Sequence, residues 1–293
     1  MAHYKSEDYL PTIKVKNAIV LNSEHLDSNY FHLLTEYIPV FEHLLKSNFN
    51  LSEFVIPLFL RGKKHPPKFV FEFFKLYGIP SRNIIFNEKP FILNADLIYS
   101  GITLLAKSRA CFKQFSNRVL EGKVDGEKNT KLVICRENCG RTILNFQEFF
   151  PNFRRVFLER LSIREQAKLF NGSDEIVAAH GAGLTNLIFC QPGTVVTEFR
   201  TPQIANRKAY KRLAQSFKLN YKTEIAISEN KKSTPTADMR LRPKRERHFA
   251  IDTDYDVDNT MAKTKHWTYG SRQIQSDIVI LKRDTVFLSL IHI

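Results

Sequence analysis

Apolar residues recur at helical spacing in the segment from Asn29 to Phe41. Positions 30, 33, 34, 37, 38 and 41 are apolar, which predicts an amphipathic helix. Pro39 lies inside this segment, so we expect the helix to kink or break there. His32 and Glu36 are four residues apart, and a helix therefore places them on one face.

The rest of the chain alternates short apolar runs with helical segments. In the N-terminal half we expect strands at 18–20, 54–59, 83–86 and 95–99, and a helix at 69–77 that Gly78 closes. In the C-terminal half we expect strands at 131–135, 155–158, 175–179, 194–199 and 221–227, with helices at 146–150, 162–170, 184–189 and 206–217. Ser162 and Glu165 have the spacing of a capping box. This alternation predicts an α/β fold with parallel strands.

A polar segment separates the two halves. Residues 122–130 are polar and charged and contain Gly126, which predicts a domain boundary. We therefore expect an N-terminal α/β domain at 1–122 and a second α/β domain at 130–227. Residues 228–247 are rich in lysine and arginine without an apolar period, which predicts a basic, mobile loop. The pattern leaves the packing of residues 248–293 open.

Charge and hydropathy limit the partners and the location. The formal net charge is +14, which fits nucleic acid, an anionic membrane surface, a phosphorylated substrate or simple solubility. No RNA-binding, zinc-finger or helix-turn-helix motif is present, so we expect no nucleic-acid partner. The sequence shows neither a signal peptide nor a long apolar span, which predicts a cytoplasmic protein. The basic stretch from Arg240 to Arg247 suits contact with anionic lipid at the inner face of the membrane.

Metal-binding patterns are weak. The four cysteines lack the spacing of a zinc site, which favours reduced thiols in the core. Asp252, Asp254, Asp256 and Asp258 alternate with other residues, but the glycine and the closing glutamate of an EF-hand loop are missing. We therefore expect a solvated acidic turn there, and no metal site.

The strongest chemical signal is the loop from His180 to Gly183. It follows a predicted strand and precedes a predicted helix, which brings free backbone amides and a positive helix end to a ligand. A Rossmann fingerprint fails, because Asn186 stands where the third glycine belongs. An esterase oxyanion loop lacks its G-x-S-x-G partner. Two alternatives stay open: a loop that contacts the phosphate or sugar of a donor, and a tight turn of purely structural role.

Two weaker signals also carry chemistry. Arg136 and Arg141 follow a predicted strand, and two guanidinium groups suit a diphosphate leaving group without a metal; the alternative is a solvated loop with surface ion pairs. His32 or Glu36 suits a general base that deprotonates an acceptor hydroxyl; the alternative is an ordinary polar helix face.

Taken in order, four motifs resemble glycosyltransferase family 61. They are Asn29–His32 with Glu36 and Pro39; Arg136, Arg141 and Asn145; Ser162–Phe170 with Glu175; and His180–Asn186 with Phe189, Pro192, Gly193 and Glu198. The resemblance spans roughly residues 17 to 260, and the last motif is the most specific.

The resemblance implies a GT-B-like α/β fold, with two Rossmann-like halves facing a cleft, and an inverting, metal-independent enzyme. The co-substrate is a nucleotide sugar, typically a UDP-sugar, with no further cofactor, and the acceptor is a glycan or lipid-linked glycan of surface polysaccharide synthesis. The implied catalytic residues are His32, Glu36 and His180. The implied donor-binding residues are Arg136, Arg141, Asn145, Gly181, Ala182, Gly183, Leu184, Asn186 and Glu198. Glu198 is expected just past a strand end, where it would contact the ribose hydroxyls. The alternative is a catalytically inactive nucleotide- or glycan-binding module.

Overall fold

The computed structural model divides the chain into two compact units. It describes residues 11–21, 29–59, 65–87, 91–101, 109–121, 130–137, 142–201, 204–205, 207–228, 239–240, 278–280 and 286–290. The first unit comprises Met1–Lys107 with Met261–Ile293, and the second comprises Ser108–Thr260. Arg141, the alternating aspartates and most of the predicted basic loop lie outside the described residues.

The first unit begins with strands and helices in alternation. Its elements are β1 (Thr12–Leu21), α1 (Tyr30–Lys46), β2 (Phe54–Phe59), α2 (Lys68–Leu76), β3 (Ile84–Asn87) and β4 (Phe91–Gly101), with 3₁₀ helices at Leu51–Glu53 and Ser81–Asn83. The four strands are parallel in the order β4-β1-β2-β3. The strand order therefore reverses between β1 and β4.

Helix α1 forms where the apolar spacing predicts it, although it is longer than expected. Asn29 caps its start, since its side chain accepts a hydrogen bond from the Phe31 N–H at 2.9 Å. The helix continues past Pro39 to Lys46, so the predicted break is wrong. Its buried face extends to Leu44, and this burial offsets the backbone hydrogen bond that a proline removes.

The second unit opens with a helix that the sequence pattern did not single out, α3 (Arg109–Leu120). The remaining elements are β5 (Thr130–Cys135), α4 (Phe146–Phe149), β6 (Arg154–Phe157), α5 (Ile163–Asn171), β7 (Ser173–Ala179), β8 (Val195–Arg200), α6 (Ala209–Ser216) and β9 (Asn220–Ile225). Two 3₁₀ helices occupy Leu158–Arg160 and Ala182–Phe189. A short antiparallel pair, β10 (Ile227–Ser228) and β11 (Met239–Arg240), follows.

The strands β5 to β9 form one parallel sheet in the order β6-β5-β7-β8-β9. One face of this sheet packs Val133, Cys135, Val177 and Phe199 against Phe146 of α4. The helices α3, α5 and α6 all contact the 3₁₀ helix Ala182–Phe189. The predicted α/β class with parallel strands is confirmed for both units.

The C-terminal part of the chain returns to the first sheet. Strands β12 (Ile278–Ile280) and β13 (Val286–Leu290) both pair parallel with β4. They occupy the side of β4 opposite β1. Within the described residues, no helix is long and apolar enough to span a membrane.

Candidate active site

The strand order of the second sheet reverses between β5 and β7. β6 lies on one side of β5, whereas β7, β8 and β9 follow on the other side. In open parallel sheets, such a reversal opens a crevice at the carboxyl ends of the two strands, and ligands bind there. Arg136 directly follows β5, and His180 directly follows β7. The topology thus brings the arginine motif and the glycine loop to one place.

Arg136 and Gly181 are in direct contact. A Cβ built on Gly181 would lie 2.9 Å from Nη2 and 3.2 Å from Cζ of Arg136. Gly181 has φ 171°, which is ordinary extended backbone. Glycine serves space here and not conformation, because a side chain would displace the Arg136 guanidinium from the volume that it occupies.

The rest of the glycine loop is fixed against the sheet. A Cβ on Gly183 would lie 2.7 Å from Cδ1 of Leu158, so a larger residue would collide with the first residue after β6. Leu184 is buried, and its N–H donates to the Gly181 carbonyl at 3.0 Å. Ala182 begins the 3₁₀ helix, whose first amides lack partners within the helix by construction. Amides of this kind suit an anionic ligand.

Asn186 ties this loop to helix α5. Its Nδ2 donates to Oε1 of Gln166 at 2.7 Å and to the Gly183 carbonyl at 3.1 Å. The side chain has no exposed surface. The structure therefore shows Asn186 holding the loop, and a direct contact between Asn186 and a donor stays a prediction.

His180 is hydrogen-bonded to a buried carboxylate. Its Nδ1 lies 2.5 Å from Oε1 of Glu198, and the Glu198 side chain is 0% exposed. Glu198 lies inside β8, so its expected place past the strand end is wrong. The reason is that β8 runs on through Arg200, which the Glu198 carboxylate keeps buried. A contact between Glu198 and ribose stays a prediction.

Two further donors hold the other carboxylate oxygen of Glu198. Nε of Arg200 donates to Oε2 at 2.6 Å, and the Tyr221 hydroxyl donates to the same oxygen at 2.5 Å. Arg200 also donates through Nη1 to the Ala205 carbonyl at 2.7 Å. Sequence reasoning missed both Arg200 and Tyr221. The available signal was a glutamate and an arginine two positions apart in a mostly apolar strand, which places two charges on one buried face.

The protonation states of these groups follow from their contacts. Burial acts to raise the pKa of the Glu198 carboxyl, but the hydrogen bond and charge of His180, together with Arg200, outweigh it and lower that pKa. Burial and the nearby Glu198 carboxylate raise the pKa of Tyr221 well above its ordinary value. Glu198 is thus an acceptor and Tyr221 a neutral donor, so Nδ1 of His180 carries the hydrogen between His180 and Glu198.

The His180 ring is also held from two other directions. Its backbone N–H donates to the Phe199 carbonyl at 2.9 Å, which continues the pairing of β7 with β8. The Tyr210 ring of α6 lies edge-on to the imidazole with centroids 5.2 Å apart. These contacts hold the His180 side chain, which is 15% exposed, at the residue that precedes Gly181.

Of the rest of the arginine motif, the structure describes Asn145. Asn145 precedes α4, and its Nδ2 donates to Oε2 of Glu148 at 3.2 Å. Two arginines that the motif does not include contact residues at the end of β5 or just after it: Arg155 interacts with Cys135, and Arg160 with Glu137. The guanidiniums of Arg155 and Arg160 lie 4.5 and 4.8 Å from the centroid of the Phe157 ring, and Arg160 forms an ion pair with Glu137. Arg160 thus contacts the residue that follows Arg136.

His32 and Glu36 lie in the first unit, near the start of α1. Nδ1 of His32 is 2.6 Å from Oε1 of Glu36, and the two side chains are 31% and 28% exposed. Helix α1 follows β1, one of the two strands between which the first sheet reverses its order. The predicted pairing of these residues on one helix face is therefore present in the structure, at the end of the sheet where ligands bind in such folds.

Comparison with known families gives the same assignment as the motifs. A family model described as Glycosyltransferase 61 matches residues 9–197, which is more than half of the chain. The chain belongs to glycosyltransferase family 61. The resemblance found in the sequence motifs is thus confirmed. No curated protein matches the chain.

Membership of family 61 makes this chain a glycosyltransferase, which transfers a sugar from a donor to a glycan acceptor. The matched residues include the His32–Glu36 pair, Arg136 and the His180 loop. The match ends within β8, one residue before Glu198.

Proposed function

We propose that this family 61 enzyme transfers a sugar from a nucleotide sugar, most simply a UDP-sugar, with inversion at the anomeric carbon and without a metal ion. The observation that carries the proposal is the contact of the Arg136 guanidinium with Gly181 at the strand-order reversal of the second sheet. A guanidinium beside the first amides of a helix is suited to a diphosphate, because it supplies permanent charge and paired donors. Arg136 and the loop from Gly181 to Leu184 are the proposed diphosphate site.

In the proposed reaction, an acceptor hydroxyl attacks the anomeric carbon while the bond from that carbon to the diphosphate oxygen breaks. The hydroxyl proton goes to a general base, and the negative charge stays on the departing nucleoside diphosphate. Arg136 and the loop amides stabilise that charge. A single displacement of this kind inverts the configuration of the sugar.

We assign the general base to His32, with Glu36 orienting it. Glu36 lies 2.6 Å from Nδ1 of His32, so in this assignment the opposite ring nitrogen, Nε2, accepts the proton. This assignment requires the first unit to face the donor across a cleft, as in a GT-B enzyme. That arrangement belongs to the proposal, as do the cytoplasmic location at the membrane face and the role in surface polysaccharide synthesis.

The direct test is calorimetry with a panel of UDP-, GDP- and dTDP-sugars, with and without EDTA. We expect one UDP-sugar to bind and chelation to leave its affinity unchanged. If the folded protein binds none of these nucleotide sugars, the proposal is contradicted. Binding without release of UDP in the presence of glycan acceptors would instead indicate an inactive binding module.

Arg136 has a matched control within the same unit. Arg136→Ala is expected to weaken donor binding by about 1.5–3 kcal/mol, as for a lost charged hydrogen bond. Arg164 in α5 pairs with Glu121 on the surface, so Arg164→Ala should leave donor affinity unchanged. Equal affinities for the two variants would remove Arg136 from the donor site.

A further inference from the structure

Two arginines share one aromatic ring at the end of β6. The guanidinium carbons of Arg155 and Arg160 lie 4.5 and 4.8 Å from the centroid of the Phe157 ring, which is the range of a cation–π contact. Phe157 is half-buried and packs against the core on one face of the second sheet. The ring is thus anchored in the core, and it holds two guanidinium groups near the surface.

This cluster lies next to the proposed diphosphate site. Phe157 is paired in register with Cys135, the residue before Arg136. Arg160 forms an ion pair with Glu137, the residue after Arg136. Neighbouring strands are about 4.8 Å apart, so the cluster is one strand spacing from β5, the strand that Arg136 follows.

The two sides of the proposed diphosphate site differ in exposure. On the β8 side, the Glu198 and Arg200 side chains are 0% and 2% exposed, and Thr201, which follows β8, is also buried. On the β6 side, Arg155 is exposed, and the Arg160 side chain is 64% exposed. Within the second unit, a ligand whose diphosphate lies between the ends of β5 and β7 can therefore continue over β6 but not over β8.

We infer that the Phe157 ring and the guanidinium groups of Arg155 and Arg160 form a stacking platform for the nucleobase of the donor. The inference rests on the proposed function, since it needs the donor diphosphate at Arg136. Aromatic rings and guanidinium groups both stack on the flat faces of bases. Such stacking is sequence-tolerant because every base has a π-face, so the platform supplies affinity for the nucleoside and does not select uracil.

The contacts of Arg155 separate stacking from charge. Its guanidinium carbon lies 4.5 Å from the Phe157 centroid and 5.8 Å from the Phe146 centroid, and the group interacts with the Cys135 thiol. These contacts hold the guanidinium against aromatic rings. A lysine at this position keeps the positive charge but lacks the planar group that stacks. Arg155→Lys therefore removes stacking while the charge stays.

Calorimetry of the full-length protein with UDP and with inorganic diphosphate tests the platform, because only UDP carries a base. The wild type should bind UDP about tenfold more tightly than inorganic diphosphate, or better. Phe157→Leu keeps an apolar side chain for the core and should weaken UDP binding about tenfold, with the affinity for inorganic diphosphate unchanged. Arg155→Lys should weaken UDP binding about fivefold with the same selectivity.

Phe153 offers a matched control at the opposite end of the same strand. It directly precedes β6, it packs against the same core, and Nζ of Lys131 lies 5.8 Å from the centroid of its ring. Because ligands bind at the carboxyl ends of parallel strands, Phe153→Leu should change the affinity for neither ligand.

Three results would overturn the inference. They are equal wild-type affinities for UDP and inorganic diphosphate, an equal loss of both ligands in the two platform variants, and a UDP affinity that neither variant changes. Arg155 is exposed, so Arg155→Lys decides the matter if Phe157→Leu does not fold. If the folded wild type binds neither ligand, the proposed function itself fails, and the inference fails with it.

Discussion

Each unit of this glycosyltransferase contains a histidine that is hydrogen-bonded through Nδ1 to a glutamate, but the two pairs differ in their position in the fold and in their burial. His32 and Glu36 lie four residues apart on one helix, and both side chains are about a third exposed (31% and 28%). His180 and Glu198 come from neighbouring strands, and the glutamate is fully buried beneath Arg200 and Tyr221.

The surroundings of each carboxylate decide which role its histidine–glutamate pair can take. A carboxylate that is exposed to water can exchange its hydrogen-bond partner for water, or take up a proton, at a small cost in free energy. A carboxylate held by three protein donors without water is fixed in position and charge. The first pair is therefore suited to proton transfer, whereas the second is suited to holding a ring in place.

Replacing each glutamate by alanine should give the largest difference between the two pairs, and that difference is in the free energy of unfolding. Glu198→Ala leaves Arg200 buried without a counter-charge, so we expect a loss of about 3–5 kcal/mol in the free energy of unfolding. Glu36→Ala removes an exposed helical pair and should cost less than about 1 kcal/mol. Urea denaturation of both variants measures the difference. Similar midpoints for the two would mean that burial does not distinguish the pairs.

Turnover should distinguish the two histidines. If His32 is the base, His32→Ala lowers kcat about 10²-fold or more and leaves UDP affinity unchanged. His180→Ala should weaken UDP binding itself, because His180 directly precedes Gly181, which contacts Arg136. Single-turnover kinetics together with calorimetry separate these effects. A His32→Ala variant that transfers sugar at the wild-type rate would exclude His32 as the base.

Two glycines of the second unit, Gly181 and Gly193, distinguish a requirement for space from one for backbone conformation. Gly181→Ala pushes the Arg136 guanidinium out of its place, so UDP affinity should fall about tenfold with little change in stability. Gly193 has φ +90° and open space around it, so Gly193→Ala should cost about 1 kcal/mol of stability and leave UDP affinity unchanged. The opposite pattern would show that Gly181 serves the backbone and not Arg136.

The smallest expected effect is the loss of stability at acid pH that the buried His180–Glu198 pair contributes. The pKa of Glu198 is lower in the folded than in the unfolded protein, so the unfolded state binds more protons as the pH falls. The stabilisation is present when the pH is above the pKa of the unfolded state, about 4.3, and is lost as the pH falls through the pKa of the folded state. Urea midpoints between pH 7 and pH 3 should therefore fall more in the wild type than in Glu198→Gln. Parallel pH profiles would contradict a lowered pKa.

Local sequence signals predicted much of the fold. The strand at 54–59 has the expected bounds, and Ser162 and Glu165 form the expected capping box. Gly78 follows α2 with φ +72°, a conformation that glycine adopts without strain. Each of these features depends on residues close together in the chain, which is why the sequence reveals them.

Two predictions of secondary structure failed. The predicted helix at 184–189 is a 3₁₀ helix from Ala182. There, Thr185 Oγ1 donates to the Ala182 carbonyl and Asn186 Nδ2 to the Gly183 carbonyl, each three residues back, which favours the tighter turn. Helix α3 was missed although Phe112, Phe115 and Val119 have helical spacing and are buried. The polar residues between them obscure that pattern.

The candidate site was predictable only in part, because strand register decides the rest. The motifs identified Arg136 and the His180 loop, and the structure brings them into contact. Tyr221 reaches Glu198 only because β9 pairs with β8 in a register that sets Thr223 opposite Glu198. In a chain with net charge +14, Arg200 is one basic residue among many until its strand is known to be buried.

The return of β12 and β13 to β4 has a consequence for the order of folding during synthesis. The sheet of the first unit joins strands from the beginning and the end of the chain, whereas the second unit occupies one continuous stretch, Ser108–Thr260. Pairings between distant residues form slowly, and contiguous domains fold as units while the ribosome is still translating. The second unit can therefore complete its sheet before β12 and β13 emerge, and the first unit is finished last although it is begun first.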